Sequence, residues 1–217
     1  MLEAKKITRD YDTVKVLKGI DVTILEKEIV SIVGASGAGK TTLLQILGTL
    51  DRPTSGAVLF NGEPVNKLSE ADLARFRNEN IGFIFQFHQL LPEFTALENA
   101  CLPGYIGKRP EQEVQAKAKE LLSYLGLGHR MHHKPSQMSG GEQQRVAVAR
   151  SLVNNPSVVF ADEPSGNLDS QNADELHQLF FKLREEMGQT FVIVTHNDDF
   201  AAMADRTIHM KDGHISA

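Results

Sequence analysis

Hydrophobic positions in the second half of the chain follow two patterns, unbroken apolar runs and helical spacing. Residues 158–161 (VVFA) and 191–194 (FVIV) are apolar without alternation, which is typical of parallel strands covered by helices on both faces. Between these runs, apolar residues recur every three or four positions: Ala173, Leu176, Phe180, Leu183 and Met187. Gly188 follows where glycine commonly ends a helix. The pattern predicts a strand, a helix and a second strand within a parallel sheet.

The first third of the chain has the pattern of strands and turns. Residues 20–25 alternate loosely and residues 29–33 are rich in β-branched side chains. Residues 56–60 lead into Asn61-Gly62, a dipeptide that favours a hairpin turn. We therefore expect a strand-rich N-terminal part.

The middle of the chain has a helical pattern instead. Apolar residues stand at helical spacing at five positions: Val114, Ala118, Leu121, Leu122 and Leu125. Residues 87–155 contain no convincing strand pattern. We expect one α/β domain, with a core of about residues 1–86 and 156–217 and an inserted helical subdomain of about residues 87–155.

Composition and charge narrow the class of protein. The chain has 217 residues, 41% of them hydrophobic, so it can bury a full core. Its formal net charge is −5 without any long basic run, which argues against a nucleic-acid partner. No apolar stretch reaches the roughly 20 residues of a membrane-spanning helix, and no apolar signal segment follows Lys5 and Lys6. We expect a cytosolic protein that does not itself cross a bilayer.

One octapeptide predicts a site for nucleotide phosphates. It reads Gly34, Ala35, Ser36, Gly37, Ala38, Gly39, Lys40 and Thr41, and it matches the pattern G-x-x-x-x-G-K-[ST] between a strand and a helix. The glycines let backbone N–H groups turn toward phosphate at a helix N-terminus, and Lys40 neutralises the outer phosphates. Thr41 offers its hydroxyl to Mg²⁺. We place Thr42, the next residue, in the same ATP-binding set.

Polar residues after the two apolar runs extend this site. Asp162 and Glu163 follow the first run, and His196 comes shortly after the second. Parallel strands end at the same edge of a sheet, so these side chains are expected beside the phosphate loop. We expect Asp162 to hold hydrated Mg²⁺ and Glu163 to activate the attacking water. A hydrogen bond from His196 to the γ-phosphate completes the predicted catalytic set with Lys40.

A second glycine-containing segment predicts another phosphate-binding helix terminus. Ser139 and Glu142 form the S-x-x-E pattern of a capping box. Capping does not account for Gly140 and Gly141, because glycine costs about 1 kcal/mol within a helix and suits close approach of backbone to a ligand. We therefore place Ser139, Gly140 and Gly141 among the ATP-binding residues.

Residues 139–143 (SGGEQ), shortly before the Asp162-Glu163 pair, resemble the signature of ABC-type ATPases. The resemblance covers essentially the whole chain. It implies a P-loop NTPase fold with a mixed β-sheet core, an N-terminal antiparallel β part and an inserted α-helical subdomain. It also implies a head-to-tail homodimer, with each ATP held between residues 34–41 of one copy and residues 139–141 of the other.

The same resemblance suggests roles for residues outside these motifs. Tyr11 is similar to the aromatic residue that stacks on adenine. Gln86 is similar to the glutamine that links the two lobes, and we place it with the catalytic and the Mg²⁺-binding residues. His196 matches the switch histidine of the family, and residues 165–169 (SGNLD) match the loop that contacts the partner subunit.

Residues 86–99 (QFHQLLPEFTALEN), with residues 154–156 (NNP) and 167–169 (NLD), narrow the resemblance to the ATPases of lipoprotein-releasing ABC systems. This implies integral membrane partners of the LolC and LolE kind, and a peripheral position at the cytoplasmic face of the bacterial inner membrane. An exporter ATPase of the MacB type and a cell-division ATPase of the FtsE type are alternatives. A soluble ABC ATPase and a regulatory module with negligible turnover are alternatives of another class.

Four apolar residues after Gln86 allow two interpretations. In such ATPases this segment meets the membrane subunit, so the four side chains could form a docking surface. They could equally pack in the core of the protein itself. The residues are Phe87, Leu90, Leu91 and Phe94.

Overall fold

The strands and helices of the chain are defined over residues 1–216, which the computed structural model describes. The first strands are β1 (Leu2–Tyr11), β2 (Val14–Ile24), β3 (Ile29–Gly34), β4 (Ser55–Phe60) and β5 (Glu63–Pro64). The later ones are β6 (Ile81–Phe85), β7 (Val158–Asp162), β8 (Thr190–Val194), β9 (Arg206–Lys211) and β10 (His214–Ser216).

Four of the strands form the predicted N-terminal antiparallel part. They pair in the order β2-β1-β4-β5. Asn61 and Gly62 connect β4 to β5 with φ angles of 50° and 87°, as a tight hairpin turn requires. The predicted hairpin is confirmed, whereas the long strand β1 has no counterpart among the predicted elements.

The other six strands form a mixed sheet in the order β10-β9-β3-β8-β7-β6. All neighbours are parallel except β10, which pairs antiparallel with β9. The two predicted apolar runs are β7 and β8, side by side near one end of the sheet. The predicted parallel core is therefore confirmed, and β6 adds a strand that was not predicted.

Seven α-helices lie among the described residues. They are α1 (Lys40–Leu47), α2 (Glu70–Asn80), α3 (Ala96–Ile106), α4 (Glu111–Tyr124), α5 (Gly140–Leu152), α6 (Ser170–Met187) and α7 (Asp198–Met203). Short 3₁₀ turns occur at Val65–Lys67, Gly128–Arg130 and Pro135–Gln137. Gly188 follows the last residue of α6 as its C-cap, and its φ of 65° is left-handed as predicted for this glycine. Between residues 1 and 216, none of the helices has the length and apolarity to span a bilayer.

Alternate residues of the central strands face two separate hydrophobic clusters. Val158 and Phe160 of β7 pack with β1, β2 and α1 on one face of the sheet. Val159 and Ala161 pack on the other face, in a cluster that includes the predicted helical stripe: Val114, Ala118, Leu121, Leu122 and Leu125. The strands are thus covered on both faces, which explains their unbroken apolar runs. Because the helical cluster continues into the sheet, the division near residues 86 and 156 stays a prediction.

Candidate functional site

Four neighbouring parallel strands end together at one edge of the large sheet. Ile32 of β3 lies opposite Val194 of β8, and Val194 lies opposite Asp162 of β7. Asp162 in turn lies opposite Phe85, the last residue of β6. The segments that follow all four strands therefore emerge side by side, at the edge where open α/β sheets bind ligands.

The loop between β3 and α1 has a backbone that only glycine fits well. Gly34, Gly37 and Gly39 have φ angles of 150°, 79° and 98°. A Cβ on Gly34 would lie 2.1 Å from the carbonyl oxygen of Met210. Gly39 stands at the N-cap of α1 without a side-chain cap, so the first N–H groups of the helix face the loop. This arrangement suits a phosphate group.

Lys40 brings a cation to the same loop. The residue is only 7% exposed, and its Nζ donates hydrogen bonds to the carbonyl oxygens of Gly34 at 2.7 Å and Ala35 at 3.1 Å. The ammonium group is therefore held over the loop backbone. A helix N-terminus and a positioned ammonium group together match the phosphate-binding role expected of residues 34–41.

Thr41 and Asp162 bring two oxygen atoms together beside this loop. The Thr41 hydroxyl donates a hydrogen bond to Asp162 Oδ1 over 3.2 Å. Burial raises the pKa of Asp162, while Thr41 and Lys40 oppose that rise. Within residues 1–216, no group of three or more His, Cys, Asp or Glu side chains is placed to hold a metal. A hydroxyl and one carboxylate nevertheless fit Mg²⁺, which keeps several waters and binds phosphate oxygens.

Glu163 and His196 form the second pair at this edge. The backbone N–H of His196 donates to Glu163 Oε2 at 3.3 Å, and His196 Nε2 lies 3.0 Å from Glu163 Oε1. That second approach is close but poorly aligned for a hydrogen bond, so Oε1 is buried without a partner. Burial raises the pKa of Glu163, and His196 opposes the rise. A half-buried carboxylate with a raised pKa, one oxygen of which accepts no hydrogen bond, is suited to accept a proton.

The backbone of Glu163 has an unusual conformation. Its φ is 48°, in the left-handed region that a residue with a Cβ seldom adopts. Its N–H donates to the carbonyl oxygen of Val194 at 2.9 Å, so the neighbouring strand β8 supports this conformation. Backbone strain of this kind occurs preferentially at functional sites.

Gln86 is held by Asn167, a residue of the predicted partner-contacting loop 165–169. Gln86 Nε2 donates to Asn167 Oδ1 at 3.1 Å, and Asn167 Nδ2 donates to the Gln86 carbonyl oxygen at 3.1 Å. Gln86 is thus turned toward loop 165–169, and its hydrogen bonds do not involve Thr41 or Asp162, the two expected Mg²⁺ ligands. The predicted contact of Gln86 with Mg²⁺ stays a prediction.

Tyr11 is fixed at the end of β1 by two side chains. Its hydroxyl donates to Asp51 Oδ2 at 2.8 Å, and the Arg9 guanidinium lies 4.3 Å from the ring centroid. Arg9 Nε also pairs with Asp51 Oδ2 at 2.9 Å. The guanidinium covers one face of the Tyr11 ring. The predicted stacking on adenine would therefore have to use the opposite face.

The predicted capping box forms at the start of α5. Ser139 Oγ accepts from the Glu142 N–H at 3.2 Å, and Glu142 Oε2 accepts from the Ser139 N–H at 2.8 Å. Ser139 and Gly140 are exposed, and a Cβ on Gly140 would meet only Leu168, at an ordinary 3.6 Å. Among the described residues, no hydrogen bond joins this segment to the 34–41 loop. Within one chain, therefore, the two predicted phosphate-binding segments remain separate.

Known sequences and structures support the arrangement of these segments. Residues 17–166 match the family described as ABC transporter. The chain belongs to the ABC transporter family. This chain is 61% identical to a protein of Cytophaga hutchinsonii named lipoprotein-releasing system ATP-binding protein LolD. The match covers 99% of this chain and 98% of that relative. The chain is 58% identical, over 99% of its length, to all of the protein of that name in Bacteroides fragilis.

Solved cassettes share the fold over the whole chain. A bacterial ABC transporter cassette in dimeric form superposes with a TM-score of 0.90 at 42% identity, covering 100% of this chain and 97% of the other. A dimeric post-hydrolysis state bound to ADP and phosphate gives a TM-score of 0.90 at 41% identity with the same coverage. The fold of this chain is thus that of an ABC ATPase cassette.

The sequence interpretation missed Arg9 and Asp51, which hold Tyr11, and it did not predict that Asn167 pairs with Gln86. Arg9 stands two positions before Tyr11 on the same strand, so two-residue periodicity was an available signal that they share a face. Asp51 and Asn167 carry no such local signal, because their partners lie 40 and 81 residues away. Supporting contacts of this kind depend on the fold.

Proposed function

We propose that this cassette is the ATP-binding and ATP-hydrolysing subunit of an ABC transporter that releases lipoproteins from the bacterial inner membrane. It acts as a homodimer at the cytoplasmic face, attached to integral membrane subunits. The observation that carries the proposal is the convergence at one sheet edge of the 34–41 loop, Asp162, Glu163 and His196. The name shared by the relatives at 56–61% identity supports the cargo class.

Each residue of the converging set has a distinct role in hydrolysis. Thr41 and Asp162 would hold Mg²⁺, which would neutralise charge on the phosphates. Lys40 shifts its ammonium hydrogen bonds from the loop carbonyls to the outer phosphates. Glu163 accepts a proton from the water that attacks the γ-phosphate, as the P–O bond to ADP breaks. His196 orients Glu163 and donates a hydrogen bond to the γ-phosphate.

The dimer supplies the second half of each ATP site. The exposed residues Ser139 and Gly140 at the N-terminus of α5 face the γ-phosphate held by the partner copy. Gly141, the third residue of the predicted set, is buried beside Asn172 and contributes through the helix backbone. The capping box fixes the first turn, and the helix N-terminus contributes favourable charge toward an anion. Residues 165–169 lie beside this helix terminus through Leu168 and contact the same partner.

The segment after Gln86 provides the surface for the membrane subunit. Phe87 is 71% exposed, Leu91 44% and Phe94 37%, whereas Leu90 is partly buried against the helical core. Three of the four apolar residues are therefore available for docking, and one packs inward. Exposed large apolar side chains this close together are typical of interaction sites.

This docking segment is fastened to α5. His88 Nε2 lies 2.9 Å from the carbonyl oxygen of Gly140. The Arg150 guanidinium donates to the carbonyl oxygens of His88 at 2.7 Å and Gln89 at 2.6 Å. A displacement of the docking segment would therefore move the helix that carries the second ATP-binding segment, which accounts for coupling between hydrolysis and membrane subunits.

The proposal is tested by reconstituting the cassette and its membrane subunits in liposomes that contain a lipoprotein. ATP should release the lipoprotein to a soluble acceptor. Phe87→Ser should abolish binding to the membrane subunits while the ATPase rate of the isolated cassette stays within about twofold of normal. Leu25→Ser is the matched control, since Leu25 is 53% exposed and lies outside the segment.

Other outcomes of this experiment identify the alternatives. ATP-dependent export of a small molecule or peptide without lipoprotein release would favour a MacB-type ATPase, and binding to cell-division membrane subunits would favour an FtsE type. An active ATPase that binds no membrane subunit would indicate a soluble ABC ATPase. Absence of phosphate release in every condition would refute the proposed enzyme.

A further inference from the structure

A buried histidine outside the catalytic set contacts two functional segments at once. His177, in the second turn of α6, is only 6% exposed. Its Nε2 lies 3.0 Å from Ser165 Oγ. Its ring centroid lies 4.5 Å from that of Phe200 in α7, with 33° between the ring planes. One side chain thus joins three separate parts of the chain.

On one side, His177 holds the start of the partner-contacting loop. Ser165 is the first residue of loop 165–169 and follows Glu163 by two positions. The Gly166 N–H donates to the Glu163 carbonyl oxygen at 3.0 Å, and the Leu168 N–H donates to the Ser165 carbonyl oxygen at 3.1 Å. Ser165 therefore lies within a tight turn that begins at the proposed general base.

On the other side, His177 packs against the helix that follows His196. Phe200 is 1% exposed, and its N–H donates to the side-chain oxygen of Asn197, the N-cap of α7, at 2.7 Å. Asn197 is the residue after His196. Phe200, whose ring packs on His177, is therefore bonded through its backbone to the residue that directly follows His196.

We propose that His177 is a positioning residue that links the partner-contacting loop to the segments of Glu163 and His196. When the partner copy presses on loop 165–169, Ser165 transmits the displacement through His177 to Phe200. Both catalytic side chains then reach their working positions together. The inference rests on the proposed function, because it requires a site that the partner completes.

Packing alone does not account for this histidine. A phenylalanine could stack on Phe200 without a nitrogen aimed at Ser165. Burial lowers the pKa of His177, while Asp174 opposes the change. The imidazole is therefore neutral near pH 7, with one nitrogen that donates and one that accepts. Ser165 can complement either tautomer, because its hydroxyl both donates and accepts.

The test is a double-mutant cycle of Ser165 and His177 in the dimeric cassette. His177→Phe keeps the stacking and removes the hydrogen bond, and Ser165→Ala removes the bond from the other side. Each should lower kcat about five- to tenfold, the effect expected from one lost buried hydrogen bond, with KM for ATP changed less than twofold. The double variant should be no slower than either single variant. His177→Gln, which can still hydrogen-bond Ser165, should recover most of the loss.

Three results would overturn the inference. These are wild-type kcat in His177→Phe or Ser165→Ala, additive losses in the double variant, and a His177→Gln variant as slow as His177→Phe. If His177→Phe does not fold, the inference is tested with Ser165→Ala and His177→Gln instead. A normal kcat in Ser165→Ala is then sufficient to refute the proposed role of the His177–Ser165 contact. A wild-type cassette without ATPase activity would refute the proposed function instead.

Discussion

The two glycine-containing segments of the predicted ATP site differ in why they need glycine. In the 34–41 loop, Gly34, Gly37 and Gly39 all have positive φ, and Gly34 also lies against the Met210 carbonyl group. At the start of α5, Gly140 has no positive φ and ample room for a Cβ. In the first segment, backbone angles and contacts within the chain itself explain why glycine is needed. The second has a glycine that its own chain does not require.

Gly141, the neighbour of Gly140 in the same segment, does have a structural reason to be glycine. A Cβ there would lie 2.2 Å from the Asn172 side-chain oxygen, and Asn172 is held by Asp169, the N-cap of α6, through bonds of 2.9 and 2.7 Å. Gly141 therefore allows α5 and α6 to approach each other. The described residues impose no such requirement at Gly140, which agrees with the proposal that this glycine serves a site shared with a second copy.

The largest expected effect on turnover is that of replacing Glu163. This residue lies beside the 34–41 loop, in the half of the ATP site that a single chain forms. Glu163→Gln keeps the shape of the side chain but cannot accept a proton, so kcat should fall about 10²- to 10⁴-fold. ATP affinity should stay unchanged in equilibrium binding. Glu185→Gln, an exposed change on α6, is the control and should hydrolyse ATP normally. Normal turnover of Glu163→Gln would show that the general base is another group.

The next effect concerns Gly140 and should separate function from folding. Gly140→Ala places a methyl group on the exposed face of the α5 terminus, where the partner's ATP is proposed to bind. Turnover should fall roughly ten- to a hundredfold, as misplacement by about 1 Å can do. The melting temperature should stay the same or rise, because alanine favours a helix. Unchanged turnover would contradict the view that this glycine serves a second chain.

Gly34→Ala should show the opposite combination. The added methyl group collides with the Met210 carbonyl oxygen at a positive φ, so the free energy of unfolding without nucleotide should fall by about 1–3 kcal/mol. Thermal denaturation would show a drop of roughly 2–4 °C per kcal/mol. Gly37→Ala is the matched control, since it has a positive φ but nothing within 4 Å of its Cβ, and its loss should be smaller. Equal losses would contradict the steric argument.

The smallest effect is a pH dependence that arises from His177. Burial lowers the pKa of this histidine below that of the unfolded chain, about 6.5. The unfolded state therefore binds the proton more readily, and stability is lost as pH falls below about 6.5 toward the folded pKa. Denaturant midpoints at pH 7.5 and 5.5 should differ more in the wild type than in His177→Phe. An equal difference in both would show that His177 does not titrate in this way.

The sequence predicted those parts of the molecule whose structure depends on residues close together in the chain. The 34–41 loop needs only consecutive residues, and the Ser139–Glu142 capping box spans four. The edge occupied by Asp162, Glu163 and His196 followed from the rule that parallel strands end together.

Other contacts could not be predicted, because they depend on the folded arrangement. Strand β6 was missed, although its apolar run IGFIF just before Gln86 was a usable signal. The contact of His177 with Ser165 crosses a turn, and the approach of Asn172 to Gly141 joins two helices. No periodicity in the sequence indicates either contact. The sequence likewise could not show whether Phe87 and Leu91 pack inward or face solvent. That depends on the hydrogen bonds that hold the docking segment after Gln86 against α5.

The most direct test of the central claim is the mass of the Glu163→Gln cassette in solution, measured by light scattering with and without ATP. Without ATP the mass should be that of one chain, and with ATP that of two. Ser139→Arg in the same background should still bind ATP but keep the mass of one chain, because the second half of the site is blocked. The claim is contradicted if Glu163→Gln stays a single chain in saturating ATP, or if the Ser139→Arg double variant dimerises equally well.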